Sequence, residues 1–151
     1  MFDCHALKGR FLAVNIFALS LLNSSQIQSA YAEVAVIVHP SANISETSEA
    51  NITNIFLGKS NQLSEGLKVT PIDQEEGEEP RDEFYTKLVK KDASQLNAYW
   101  SRLIFTGKGQ PPRAVLDDDE VLEFVGANPN AIGYVSASSV DDSVKMIYLI
   151  K

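Results

Sequence analysis

Cysteine is nearly absent from this chain of 151 residues, in which Cys4 is the only one. It lies in an N-terminal stretch that we expect to be removed on export, so the mature chain would contain no cysteine. Disulfide bonds and thiolate metal sites are then both excluded. A fold of this chain must therefore rest on its apolar core alone.

The N-terminal stretch has the three parts of a secretory signal peptide. A weakly basic segment at residues 8–10 precedes the apolar run "FLAVNIFALSLL", residues 11–22, which is too short to span a bilayer. The tripeptide Ala-Tyr-Ala that ends at Ala32 has the small residues of a cleavage site. We expect residues 1–32 to be the signal peptide and residues 33–151 to form one periplasmic domain. The alternative is that the stretch is kept as a membrane anchor.

Basic residues are also scarce, with 13 Lys and Arg against 20 Asp and Glu, which gives a net charge of −7. Nucleic acid and anionic membranes both require basic surface, so neither is expected as a partner. We expect no membrane insertion after cleavage.

The residues of common catalytic and metal sites are missing as well. His39 is the only histidine outside the signal peptide, and no Gly-x-Ser-x-Gly motif is present. One histidine without a second one at ligand spacing does not predict a zinc site. The acids at 117–120, "DDDE", could bind a hard cation, but they lack the glycine and the alternate spacing of a calcium loop. They fit the solvated start of a helix better. We expect no enzyme activity, no cofactor and no metal.

The pattern of apolar residues predicts strands alternating with helices. The strands are predicted at 34–40, 68–73, 131–137 and 144–150, and the helices at 49–57, from 80 onwards, at 95–105 and at 117–126. This order, β-α-β-α-α-α-β-β, predicts an α/β fold with a largely parallel sheet.

Two features have both a structural and a ligand-binding interpretation. Tyr85, Tyr99, Trp100 and Phe105 could form a ligand platform, but aromatic residues at helical spacing more often belong to the core. The segment "TGKG", residues 106–109, could form a backbone nest for an anion, or it could simply end the preceding helix. We favour the core and the helix end.

Several motifs together resemble the second lobe of the periplasmic phosphate-binding proteins of ABC transporters. They are "VAVIVHPSANIS", "NITNIFLGK", "VTPIDQ", "PRDEFY", "AIGYVSAS" and "VKMIYLI". The stretch "LNAYWSRLIFTGKGQPPR", residues 96–113, resembles a small single-lobe branch of exported proteins that are named after those transporters. The resemblance implies one lobe of the type II periplasmic-binding-protein fold, a twisted, largely parallel sheet with helices on both faces.

The resemblance also places the family's phosphate motif on this chain. In phosphate-binding relatives a helix begins with Arg-x-Asp-Gly-Ser-Gly-Thr and carries a Phe four residues later. With Phe84 as the anchor, only Gly77 and an acid at Glu76 match, and the remaining family positions carry other residues: Gln74, Glu78, Glu79 and Pro80. We expect that an anion, if one is bound, contacts some of five candidate residues: Ser41, Gly77, Arg81, Thr106 and Lys108.

These observations favour an exported, non-enzymatic protein of the phosphate-binding type with weak or no phosphate affinity. The candidate partners are phosphate or another small anion, and a membrane permease or sensor protein. An alternative of another class is a periplasmic interaction or sensory module built on a lone lobe. An exposed apolar patch on the face that a second lobe would cover would favour that alternative.

Overall fold

The structure is a computed structural model that describes residues 32–151. The predicted signal peptide, except for Ala32, lies outside the described residues. Seven strands are present: β1 (Val34–Val38), β2 (Gln62–Ser64), β3 (Leu67–Lys68), β4 (Thr70–Gln74), β5 (Arg113–Val115), β6 (Ala131–Ser136) and β7 (Lys145–Ile150). The α-helices are α1 (Glu49–Phe56), α2 (Glu79–Glu83), α3 (Ala93–Phe105) and α4 (Asp118–Ala127). A π-helical segment, Phe84–Val89, continues α2, and a short 3-10 turn spans Ala137–Ser139.

Five strands form one sheet in the order β5-β4-β6-β1-β7, and β2 and β3 form a separate hairpin. Strand β4 pairs in parallel with both β5 and β6, whereas β1 pairs antiparallel with both β6 and β7. Four of the five strands therefore share one direction, and β1 alone runs against them. The predicted α/β class with a largely parallel sheet is confirmed.

Helices cover both faces of the sheet, as the resemblance implies. On β1, Val34, Val36 and Val38 pack against α1, the π-helical segment and α3. Ala35 and Ile37 point the other way, into a smaller core with α4. The complete burial of β1 explains why its sequence is a continuous apolar run rather than an alternating one.

Gly133 allows α4 to lie close to the sheet. A Cβ atom at this position of β6 would stand 2.7 Å from a methyl carbon of Val121 and 2.8 Å from one of Ile72. Any larger residue would push the helix away from the strands.

Three elements differ from the sequence-based expectation. The β2–β3 hairpin lies in a stretch predicted as loop, and β5 was not predicted. The helix predicted from residue 80 changes to π-helical geometry at Phe84, which turns both Phe84 and Tyr85 into the core. Within residues 32–151, no helix is both long enough and apolar enough to cross a membrane.

Candidate functional site

Residues 75–78, which we call the acidic turn, follow β4 and lead directly into α2. Glu78 precedes the helix in an extended conformation, and Pro80 occupies its first turn, where a missing N–H is no loss. Gly77 has a φ of 101°, and nothing lies within 4 Å of the place where its Cβ would be. The Glu78 side chain makes no capping hydrogen bond. Glu78 therefore acts on the helix start only through its charge.

The carboxylate of Asp73 lies buried at the end of β4, just before this turn. The Tyr85 hydroxyl donates to its Oδ2 at 2.8 Å, and the Tyr134 hydroxyl donates to its Oδ1. The backbone N–H of Gln74 also donates to Oδ1, at 2.8 Å. This cluster is not recognisable from the sequence, because its members are far apart in the chain and only the fold brings them together.

Burial raises the pKa of Asp73, although the hydrogen bonds from Tyr134 and Tyr85 and the nearby charge of Arg81 oppose the shift. Burial also raises the pKa of both tyrosines well above its usual value, and the Asp73 carboxylate adds to that shift. Both hydroxyls are therefore protonated donors at neutral pH. The cluster can hold a carboxylate in place, but it offers no activated nucleophile.

Arg81 is the predicted site residue that contacts this cluster. Its Nε lies 3.7 Å from Asp73 Oδ1, and its guanidinium carbon lies 5.2 Å from the centre of the Tyr85 ring. Its side chain is only 11% exposed. The charge of Arg81 is thus directed inward to a carboxylate, which reduces what it could offer to a bound anion.

Gln74 ties the end of β4 to the neighbouring strand and to α4. Its Nε2 donates to Asp118 Oδ1 at 2.8 Å and to the Tyr134 carbonyl at 3.1 Å. Asp118 accepts two further bonds through Oδ2, from the Ser136 N–H and the Ser139 hydroxyl. Asp118 is thus fully engaged by protein donors.

Two other acids of the 117–120 segment also serve the start of α4. Asp117 accepts from the Glu120 N–H at 3.0 Å, and Glu120 accepts from the Leu116 N–H at 2.8 Å. Within residues 32–151, no group of three or more His, Cys, Asp or Glu side chains is arranged to hold a metal. These contacts favour the helix-start interpretation of the segment over a cation site.

Ser41 lies at the opposite end of the sheet from Arg81. It follows β1, whose last residue, Val38, pairs with Ile132 near the start of β6. The Ser41 side chain is exposed and forms a 2.7 Å hydrogen bond with Nδ1 of His39. The fold does not bring Ser41 and Arg81 together.

Thr106 and Lys108 lie in the turn that ends α3. The N–H groups of Gly107 and Lys108 donate to the carbonyls of Ile104 and Leu103, at 3.1 and 2.8 Å, and Gly107 has a φ of 67°. The Thr106 hydroxyl donates to the Arg102 carbonyl at 2.8 Å. This arrangement is a Schellman motif. The N–H groups at 107 and 108 are used by the helix, so the structure favours the helix end over the anion nest.

A groove of about 340 Å³ lies beside the acidic turn, between α3 and residues 110–114. We call it the α3 groove. Its apolar lining is Trp100, Ile104, Pro111 and Pro112, and its polar lining includes Glu76, Arg81, Asn97 and Ser101. The prediction that Phe105 belongs to an apolar core is wrong, because its side chain is 93% exposed beside this groove's Ile104.

Solved structures with a similar fold include proteins described as a phosphate transport receptor and a phosphate substrate-binding protein. An ABC-type phosphate transport receptor from Vibrio cholerae matches 78% of this chain with a TM-score of 0.61 and 21% identity. A Clostridium perfringens protein, described as a putative phosphate ABC transporter substrate-binding protein and solved with bound phosphate, matches 78% with a TM-score of 0.59 and 24% identity. PstS from Borrelia burgdorferi matches 77% with a TM-score of 0.56 and 17% identity. No protein-family model and no curated protein sequence matches the chain.

The fold is similar to that of one lobe of these solved proteins. The chain spans less than half of the length of the solved binding proteins, namely 46% of the first and 45% of the second. In this chain, the segment that the resemblance aligns with the phosphate motif includes the acidic turn between β4 and α2. The fold is therefore shared with these proteins, whereas two carboxylates and a proline occupy the start of α2, where the family motif has hydroxyl groups.

Proposed function

We propose that this protein is an exported solute-binding-like protein, related in fold to the phosphate ABC transporter component, with weak or no phosphate affinity of its own. The observation that carries the proposal is the start of α2, where Glu78, Glu79 and Pro80 stand in place of the hydroxyl and N–H donors that would hold phosphate. The protein would act in the periplasm after cleavage at Ala32, without catalysing a reaction. Its partners would be a small anion and a membrane permease or sensor.

Charge magnitudes support the low phosphate affinity. Two like charges about 4 Å apart repel by roughly 1–4 kcal/mol at effective dielectric constants of about 80 to 20. An exposed anion gains only about 0.3–1 kcal/mol from the start of a helix. Carboxylates at Glu78 and Glu79 would therefore outweigh what α2 offers to phosphate, and Arg81 is turned toward Asp73.

Isothermal titration calorimetry of the purified exported chain with inorganic phosphate tests the proposal. We expect no binding heat at phosphate concentrations up to the millimolar range. Micromolar affinity would contradict the proposal and would place the anion site elsewhere, with Lys108 as the first residue to examine.

A pair of double variants separates the effect of the acids on folding from their effect on phosphate. Replacing Glu78 and Glu79 with lysine should lower the free energy of unfolding by about 0.3–1 kcal/mol per reversed charge, because the start of a helix favours negative charge. Replacing Glu78 with serine and Glu79 with glycine should allow at most weak phosphate binding, because Pro80 still has no N–H. Thermal unfolding with and without phosphate measures both, with Glu123→Lys on the exposed side of α4 as the control for a charge reversal elsewhere.

A second candidate function, an interaction or sensory module, is favoured by one observation. Ile104 and Phe105, at the end of α3, are exposed to 54% and 93%. Adjacent large apolar side chains in solvent are typical of a surface that contacts a partner. If the chain is such a module, removal of these side chains should weaken partner binding and leave folding unchanged.

A further inference from the structure

The α3 groove has a shape that suits a protruding side chain. After α3 ends, the chain turns back along the helix, and Gly109 lies against Leu103 and Trp100. Residues 110–114 then form the second wall of the groove, with Pro111 and Pro112 in the lining. Two consecutive prolines restrict the backbone of that wall, so the groove is largely formed before anything binds.

The apolar part of the groove is incompletely covered. The Trp100 side chain is almost fully buried and packs against Gly58, whereas Ile104 on the same helix is 54% exposed. An occupant that covers Ile104 and the two prolines would remove apolar surface from water, which favours binding.

The acidic turn gives the groove a negative edge. Glu76 lines it, and Glu75, Glu79 and Asp82 are exposed in the same turn and in the start of α2. Arg81 also lines it, but its guanidinium faces the Asp73 carboxylate. The whole chain carries a net charge of −7, so two copies of this acidic edge would repel each other. A partner that complements this acidic edge would carry basic residues at the contact.

We propose that the α3 groove docks a segment of another protein that presents an apolar side chain next to an arginine or lysine. The apolar side chain would contact Trp100, Ile104 and Pro111, and the basic one would contact Glu76. This role goes beyond the proposed solute-binding function, because it requires no phosphate.

Trp100 makes the proposal directly measurable, because it is the only tryptophan of the chain and it lines the groove. The probe is a blocked synthetic hexapeptide of alternating leucine and arginine, titrated without phosphate into the full exported chain while the tryptophan emission is recorded. The comparison peptide has glutamate in place of arginine. We expect a saturable change with the arginine peptide and an affinity at least about tenfold lower for the glutamate peptide.

Matched variants locate the binding. Ile104→Ser should lower the affinity for the arginine peptide by about fivefold or more, whereas Met146→Ser should not change it. Met146 is similarly exposed, at 46%, but it lies on β7 at the other edge of the sheet. Glu76→Gln should weaken binding by about threefold or more, whereas Glu46→Gln should not, since Glu46 lies in the loop after β1.

Three outcomes would overturn the proposal. Equal affinity for the two peptides would remove the requirement for positive charge. Equal losses from Glu76→Gln and Glu46→Gln would reduce the effect to attraction by net charge alone. A dimer in light scattering that Ile104→Ser dissociates would assign the groove to a second copy. Since Ile104 and Glu76 are exposed, the variants should fold, and unchanged far-UV circular dichroism would establish that.

Discussion

The ends of α1 and α3 are built from almost the same five residues, "IFLGK" at 55–59 and "IFTGK" at 104–108. Both form the same Schellman turn: Gly58 and Gly107 have φ values of 68° and 67°, and the lysine N–H that follows each glycine bonds back at 2.8 Å. Their environments are nevertheless opposite. Phe56 has no exposed surface, whereas Phe105 is 93% exposed.

The comparison separates two kinds of information in the sequence. The five residues determine how the helix ends, because a left-handed glycine and two backbone hydrogen bonds are local features. They do not determine burial, which depends on where the helix lies on the sheet. Phe56 packs into the aromatic group of Phe84 and Tyr134, with ring centres at 4.6 and 5.6 Å. Phe105 is the last residue of α3 and lies outside the core.

The largest expected difference between the two ends follows from replacing each phenylalanine with alanine. Phe56→Ala should lower the free energy of unfolding by about 3–5 kcal/mol, because it empties a fully packed position. Phe105→Ala should change it by no more than about 0.5 kcal/mol. Urea unfolding followed by Trp100 fluorescence measures both. Similar losses for the two variants would show that Phe105 is packed in solution.

Replacing each glycine with alanine gives a smaller and more equal pair of effects. Both variants place a Cβ in the left-handed region, which costs about 1–2 kcal/mol. Gly58→Ala should cost more than Gly107→Ala, because its Cβ would lie 3.3 Å from Cη2 of Trp100, whereas Gly107 faces open space. Thermal unfolding gives the two costs. Equal midpoints would mean that the Trp100 ring shifts without cost.

The stability of the core around Phe56, at the end of α1, should also depend on pH through Asp73. Phe56 contacts Phe84, which stacks on Tyr134 at 4.1 Å, and the Tyr134 hydroxyl donates to Asp73. The pKa of Asp73 is raised above its usual 3.8, mainly by burial. The folded state then binds more protons than the unfolded state between the usual and the raised pKa, so stability falls as the pH rises through that window.

Asp73→Asn isolates this dependence. The stability of the native protein relative to Asp73→Asn should increase as the pH is lowered from neutral to about 4, because only the native protein takes up this proton on folding. Asp141→Asn is the control of opposite sign, since hydrogen bonds from Ser143 lower the pKa of Asp141 and its contribution should be lost below about pH 3.8. Urea unfolding from neutral pH to below pH 3.8 measures both. A constant difference for Asp73→Asn would disprove the link.

The smallest expected effect is that of making the two ends identical. Thr106→Leu converts the end of α3 into the sequence of the end of α1. It removes one exposed hydroxyl bond to the Arg102 carbonyl, so the free energy of unfolding should change by no more than about 0.5 kcal/mol. Phe105 should stay exposed in the variant. The check is a Phe105→Trp substitution made both in the native chain and in Thr106→Leu, followed by acrylamide quenching. Stronger protection of the new tryptophan in Thr106→Leu would mean that the residue at position 106 does influence the burial of position 105.

Most of the fold could be predicted from the sequence, because the long elements have strong apolar patterns. Strand β1 and helices α1, α3 and α4 lie within a few residues of their predicted bounds. The hairpin at 62–68 and strand β5 could not be predicted, since strands of two or three residues show no periodicity. Phe105 follows Trp100 by five positions, about 140° around the helix. Its side chain therefore lies outside the buried face of α3, although the apolar residues before it suggest that it continues their stripe.

The candidate site was less predictable than the fold. The acidic turn and Arg81 are visible as local sequence features, and the structure places both at the end of β4. The Asp73 cluster is not visible, because Tyr134 lies in a strand that only the sheet topology brings beside β4. Ligand binding by Ser41, Gly77, Arg81, Thr106 and Lys108 stays a prediction. Only Gly77 and Arg81 among them lie in the turn and helix that follow β4.

The reversed direction of β1 has a consequence for how the chain folds. Strand β1 emerges before the other strands, yet its two neighbours, β6 and β7, are separated from it by about a hundred residues. Neither side of β1 can pair until nearly the whole chain is available. Contacts of such long sequence separation form slowly, because the entropy cost of closing the loop comes before any contact stabilises the chain. During synthesis, β1 therefore stays unpaired until β6 and β7 have been made.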